Sequence, residues 1–253
     1  MALAWEDREG VPLLVWHGPP GVVAAFTTRL GGVSAAGFAS LNLGLTTGDD
    51  RAAVAENRRR LCAAVGADPA RTAQNHQVHG AAVRIADPLA GGYLDPQGEL
   101  PRADALVTRE AGLALVALSA DCVPIVVALA DGSALAVVHA GWKGLVAGVV
   151  EAAVAELGPA PKAATVGPCA GPGRYEVGED VAAPLRARFG PDAAAGTADL
   201  PFCATAALVA AGVPADAIDV AGLCTIADPS RFFSHRRDGA ATGRQGVIAY
   251  RAA

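Results

Sequence analysis

No CxxC pair occurs in the chain, although it carries five cysteines, Cys62, Cys122, Cys169, Cys203 and Cys224. Their wide spacing and odd number argue against a disulfide framework and a zinc ribbon, and the expected setting is a reducing cytoplasm. Positive charge is also scarce: 20 lysines and arginines stand against 25 acids, a formal net charge of -5. A nucleic-acid binder presents a basic stripe, so nucleic acid is not expected as a partner. The longest basic run, Arg58-Arg59-Arg60, reads mostly as a solvated helix face. The first ten residues hold Asp and Glu in place of a basic start and an apolar run, so no secretory signal is expected. Nothing matches GxGxxG or GxxxxGK[ST], which removes both standard nucleotide-phosphate cradles. Hydrophobic residues make up 52%, yet the longest apolar stretch, Leu113 to His139, is interrupted by Asp121, Pro124 and Asp131-Gly132. It reads as buried strands and not as a membrane span.

That interrupted stretch is the most informative part of the chain. Asp131-Gly132 lies between two β-branched-rich runs, Val123 to Ala130 and Ser133 to Val138, which predicts an antiparallel hairpin. With a two-residue turn, Pro124 stands opposite His139, and Cys122 shares the face of His139 as its diagonal neighbour. A thiolate and an imidazole so placed can share one tetrahedral ion. The small residues that follow, Ala140-Gly141-Trp142-Lys143-Gly144, let backbone approach a ligand closely.

Around this centre the chain reads as mixed strands and helices. Val11 to Trp16 and Val22 to Thr28 are strands, and a helix capped by Asp49 or Asp50 runs to Val65 with Gly66 ending it. Asn57 inside that helix points to a tertiary hydrogen bond. In Gln74-Asn75-His76-Gln77-Val78-His79-Gly80 two histidines are three apart; on an extended backbone only one faces a given site, and Gly80 favours His79. Pro88 to Arg102 is a loop, Ala103 to Thr108 a strand, and Leu145 to Leu157 a helix with Val146, Val149, Val150, Val154 and Leu157 inward. Asp180 to Phe189 and Ala204 to Ala211 read as helices, Ile218 to Leu223 and Val247 to Tyr250 as strands. Phe232-Phe233-Ser234-His235-Arg236-Arg237 suggests an edge where something flat or anionic is held. The 253 residues contain no linker and lack a strict βαβ rhythm, so one α+β domain spanning 1–253 is expected.

Several motifs, in order, resemble one family. They are Thr28-Arg29-x-Gly31-Gly32-Val33-Ser34, Ser40-Leu41-Asn42-Leu43-Gly44, Asn57-Arg58, Gln77-Val78-His79-Gly80, Ala120-Asp121-Cys122-x-Pro124, His139-Ala140-Gly141-Trp142 and Gly167-Pro168. The family is the laccase-domain, multicopper polyphenol oxidoreductase-like family, also called YfiH. The resemblance implies a layered α/β/β/α sandwich with mixed β-sheets and a purine nucleoside phosphorylase with related adenosine deaminase and methylthioadenosine phosphorylase activities. It also implies a single metal held by His79, Cys122 and His139. Zinc with an open fourth position is expected, and the same ligands suit copper as Cu(I). Five histidines cannot supply the several coppers of a multicopper oxidase.

On this reading the partners are a purine nucleoside and phosphate. Arg58 is the first candidate for phosphate, with Arg29 and Arg236 behind it; Asn42 belongs to the substrate-binding motifs, and Gln77 contacts the base or orients a ligand. Asp121 transfers a proton in deamination. Two other classes stay open: Cys122 as the nucleophile of a cysteine-type amidase that edits peptidoglycan precursors, with His139 as its base, and a non-catalytic metal-stabilised binding protein. A copper-dependent polyphenol oxidase is a further alternative. The sequence leaves the oligomeric state open.

Overall fold

A computed structural model describes residues 2–252. In chain order the strands are β1 Leu3–Arg8, β2 Val11–Trp16, β3 Val22–Thr27, β4 Thr72–Gln74, β5 Val83–Ile85, β6 Ala105–Thr108, β7 Ala114–Ser119, β8 Val123–Leu129, β9 Leu135–Ala140, β10 Lys162–Val166, β11 Ala194–Ala195, β12 Thr197–Ala198, β13 Ile218–Val220 and β14 Gln245–Arg251. The helices are α1 Arg51–Val65, α2 Trp142–Ala147, α3 Val149–Leu157, α4 Glu179–Phe189, α5 Leu200–Ala210 and α6 His235–Asp238. No helix among the described residues is long and apolar enough to cross a membrane.

Two six-stranded mixed sheets stack face to face. The first has the order β1-β2-β3-β14-β7-β4 and the second β13-β10-β8-β9-β6-β5. Period-two alternation explains the layering. In β8, Val126 and Ala128 face the first sheet, in a core shared with Leu14, Trp16, Phe26 and Val247, while Ile125 and Val127 turn outward. That outer face is covered by α3, α4 and α5, and α1 covers the first sheet through Leu61, Cys62 and Val65. The expected α/β/β/α sandwich is therefore present.

Local signals explain most elements. Asp50 caps α1 by accepting from the Ala52 N–H, and Gly66 ends it in the left-handed region at φ 72°. Asn57 makes the anticipated tertiary bonds: its Oδ1 accepts from the Val33 N–H and its Nδ2 donates to Ser34 Oγ and the Asn42 carbonyl. The hairpin has the expected register, with Pro124 opposite His139. One helix expectation needs correction. The Leu145 to Leu157 segment is two helices, because Gly148 at φ 88° ends α2 and starts α3. β1 went unrecognised because it is an outer strand with only partial burial, joined to β2 through Glu9 and Gly10, both at positive φ.

Three connections cross from one sheet to the other and meet at one end of the sandwich: β4 to β5, β7 to β8, and β13 to β14. The first carries His79, the second Asp121 and Cys122, and the third His235, Arg236 and Arg244. β9 delivers His139 to the same end.

Candidate metal centre and cavity

His79, Cys122 and His139 come together. Their ligand atoms lie within 4.8 Å of one another, and they form one such group among the described residues. Cys122 and His139 meet because the hairpin register puts both on the face that looks into the gap between the sheets. His79 reaches them from a tight loop and is itself in the left-handed region at φ 60°. The two imidazole rings stand edge to face with centroids 4.9 Å apart.

The residue that builds this arrangement is Asp104, which the sequence reading missed. Its carboxylate accepts from the N–H groups of Val78 (3.2 Å), His79 (2.9 Å) and Gly80 (2.8 Å), fixing the loop that presents His79. It also lies 2.9 Å from Nδ1 of His139, and the Asp104 carbonyl accepts the His139 backbone N–H at 2.7 Å. A carboxylate on Nδ1 fixes the proton there and leaves Nε2 as the ligand atom. One side chain thus orients both histidines.

The electrostatics follow from burial opposed by close charges. Burial disfavours an ionised Asp104, but the hydrogen bonds from His139, Gly80 and His79 prevail and hold the carboxyl below its ordinary range. Burial also works against a charged Cys122 and a charged His139. Their mutual attraction is stronger: the Cys122 thiol is lowered, helped by His79, and His139 is raised, helped by Asp104.

The donor set fits a single ion. Two imidazoles and a thiolate are zinc and Cu(I) ligands. The cradle has no room for more side chain. A Cβ on Gly141 would lie 2.9 Å from His79 Cδ2 and 3.0 Å from Cys122 Sγ, so a residue without a side chain is needed where the backbone passes these two groups.

The group opens on a cavity of about 620 Å³ whose wall includes Asp121, Trp142, Lys143, Tyr175, Arg236 and Arg244. Arg236 stands over the Tyr175 ring at 4.7 Å. Asp121, at φ 93°, accepts from Thr225 Oγ1 at 2.6 Å and from the Arg236 N–H at 2.7 Å. Two non-glycine residues in left-handed backbone, His79 and Asp121, therefore flank the ligands; such strain costs about 1–3 kcal/mol each and collects at functional sites.

Four expected substrate contacts spend polar groups on partners within the protein. Arg58 is fully buried, and four of its five N–H groups are taken by the carbonyls of Leu43 and Tyr93 and by Gln74 Oε1. One N–H is left for the cavity that Arg58 helps to line. Asn42 is also fully buried, donating to Thr47 and Asp49 and accepting the N–H groups of Gly44 and Arg244. Gln77 pairs its amide with both backbone groups of Leu118, as a neighbouring strand would. Arg29 lies outside the cavity lining, donating to the carbonyls of Ala39 and Pro229 with its guanidinium 4.6 Å above the Phe233 ring. Phe232 and Phe233 are core residues, so the flat-ligand edge expected there is restricted to His235 and Arg236.

The chain is similar to known proteins over nearly its whole length. A purine nucleoside phosphorylase of Xylella fastidiosa is 44% identical over 253 residues, covering 93% of this chain and 94% of that protein. One from Pseudomonas aeruginosa is 41% identical over 240 residues, covering 90% and 93%. Among solved structures, YlmD from Geobacillus stearothermophilus superposes with a TM-score of 0.90 at 35% identity, covering 100% of this chain and 99% of that one. The Bacillus licheniformis hypothetical protein YfiH gives 0.87 at 30% identity, covering 97% and 98%. Residues 23–252 match the family model described as multi-copper polyphenol oxidoreductase laccase, and with relatives this similar over nearly their whole length, the chain belongs to that family.

Proposed function

We propose that the chain is a metal-dependent purine nucleoside phosphorylase acting in the cytoplasm on adenosine, inosine and methylthioadenosine, with an accompanying adenosine deaminase activity. Zinc is the proposed ion, and copper is the alternative for the same ligands. The observation that carries the reading is the group of His79, Cys122 and His139 at the wall of a roomy cavity lined with cations. Three protein ligands leave a fourth position open, as catalytic sites do and closed structural sites do not. A single group of three ligands falls far short of what several coppers need, which argues against the oxidase named in the family description. The relatives named purine nucleoside phosphorylase support the same substrate class.

A bound zinc would supply a Lewis acid next to the substrate. The chain's own residues do the rest. In phosphorolysis a phosphate oxygen bonds to the sugar carbon as the bond to the purine nitrogen breaks, so the cavity must hold an anion and a base side by side. Arg236, stacked on Tyr175, presents a flat cationic surface to the nucleoside, and Trp142 offers a second aromatic face. Asp121, held by Thr225 and the Arg236 N–H, exchanges protons in deamination. Asn42, Arg58 and Gln77 act indirectly, by bracing the wall.

The test is to incubate purified protein with each of the three nucleosides, with and without phosphate, while measuring bound metal by mass. Sugar phosphate should form only with phosphate present, stop on chelation and return with zinc. Undiminished phosphorolysis by protein proved free of metal would refute the reading. A second reading, a cysteine hydrolase, draws on the lowered Cys122 thiol beside His139. It requires that iodoacetamide alkylate Cys122 in the metal-loaded protein and abolish turnover.

A further inference from the structure

Charged groups withdrawn from water are normally paired with an opposite charge, because hydration lost on burial must be replaced. Arg244 breaks that pattern. It is half-buried in the cavity wall, and no carboxylate forms a salt bridge with it among the described residues. Its Nη1 spans the carbonyls of Thr242 and Gly243 at 2.9 Å each, which steers the side chain. The Nε and Nη2 groups have no partner among the described residues. That edge is the planar fork that grips phosphate through two parallel hydrogen bonds. Its backbone is fixed as well, since the Arg244 N–H donates to Asn42 Oδ1 at 2.8 Å.

A second, independent observation lies beside it. Ser119, the last residue of β7, pairs across the sheet with Gln245, the residue after Arg244. Ser119 lines the same cavity and is 3% exposed, and its hydroxyl oxygen has no hydrogen-bond partner among the described residues. A buried hydroxyl without a partner is uncommon and calls for a ligand. The negative group nearest in sequence, Asp121, has both carboxylate oxygens engaged by Thr225 and the Arg236 N–H.

We propose that Arg244 and Ser119 form an anion subsite that receives inorganic phosphate as co-substrate, the guanidinium fork taking two phosphate oxygens and the serine hydroxyl a third. This rests on the phosphorolysis reading for its catalytic meaning but not for the binding itself. Arg58 and Arg29, the more conspicuous arginines in the sequence, are already bonded to carbonyls; Arg244 retains the free edge.

The experiment measures phosphate binding by calorimetry and, separately, KM for phosphate and for inosine, in wild type, Arg244→Met, Arg244→Lys and Ser119→Ala. Loss of a hydrogen bond to a charged group predicts that Arg244→Met weakens phosphate binding and raises KM for phosphate about tenfold to a hundredfold, with KM for inosine nearly unchanged. Arg244→Lys should restore part of the loss, since it keeps the charge without the fork. Ser119→Ala should weaken phosphate about twofold to tenfold while the melting temperature holds or rises, because an unpaired buried hydroxyl is removed. A purely structural hydroxyl would show the opposite pattern. Wild-type phosphate affinity retained by both Arg244→Lys and Ser119→Ala overturns the subsite, even if Arg244→Met fails to fold. So does wild-type protein that binds no phosphate. If the wild type phosphorolyses no purine nucleoside, the functional reading fails, and the calorimetric series alone decides the subsite.

Discussion

At the scale of single residues, one carboxylate and one guanidinium hold the site together through buried hydrogen bonds. Asp104 ties the His79 loop to the His139 ring. In Asp104→Asn an amide nitrogen would confront backbone donors, and the imidazole would lose its charged partner. Metal affinity should fall about 10–100-fold, as it does when such outer partners are removed, and stability should drop by about 2 kcal/mol. Competition with a chromogenic chelator and urea unfolding measure the two. Arg58→Met should strand the carbonyls of Leu43 and Tyr93, costing about 3 kcal/mol of stability. KM for phosphate in the folded variant should stay at the wild-type value, and a large rise would return Arg58 to the substrate. The burial of Arg58 was in fact legible: Val54, Arg58, Leu61 and Val65 follow helical spacing, so the arginine lies on the buried stripe despite sitting in a basic run. Asp104 was not legible. Its partners are 24 to 35 residues away, and nothing beside it announces them.

At the scale of elements, the β8–β9 hairpin was the most readable feature, because Asp-Gly fixes the turn and period two fixes the faces. From those alone came the pairing of Pro124 with His139 and the convergence of Cys122. Gly132 in that turn has φ 70°, and a Cβ there would lie 2.1 Å from the Pro20 carbonyl oxygen. Gly132→Ala should therefore cost about 2 kcal/mol or more in thermal or urea unfolding. Metal stoichiometry of the folded protein should be unaltered, since the turn is at the far end of the hairpin from the ligands. Irregular connections were harder to read. The break at Gly148 depends on a single left-handed residue, and the path of the residue 30–44 loop is fixed by Asn57 from another element.

For the whole molecule, three packed cores and two full sheets predict a fold that stands without an ion bound to His79, Cys122 and His139. Metal at a hundredfold excess over its dissociation constant adds about 2.7 kcal/mol, which for a chain of this size is roughly 5–11 °C in melting temperature. Exhaustive chelation should remove that increment and leave the far-ultraviolet circular dichroism at 25 °C intact. Global unfolding on chelation would instead favour a metal-stabilised binding protein. Chelation should also open Cys122 to iodoacetamide, whereas ion-bound thiolate resists it; peptide mass mapping distinguishes the two states.

His79 and Cys122 each hang from a segment that bridges the two slabs, while His139 belongs to one slab alone. The thickness of the filling between the slabs therefore acts as a caliper on the ligand triangle. Trimming a ring such as Phe26, buried in that filling and pressed against Gly167, should alter how the ion is gripped while the outline of the protein survives.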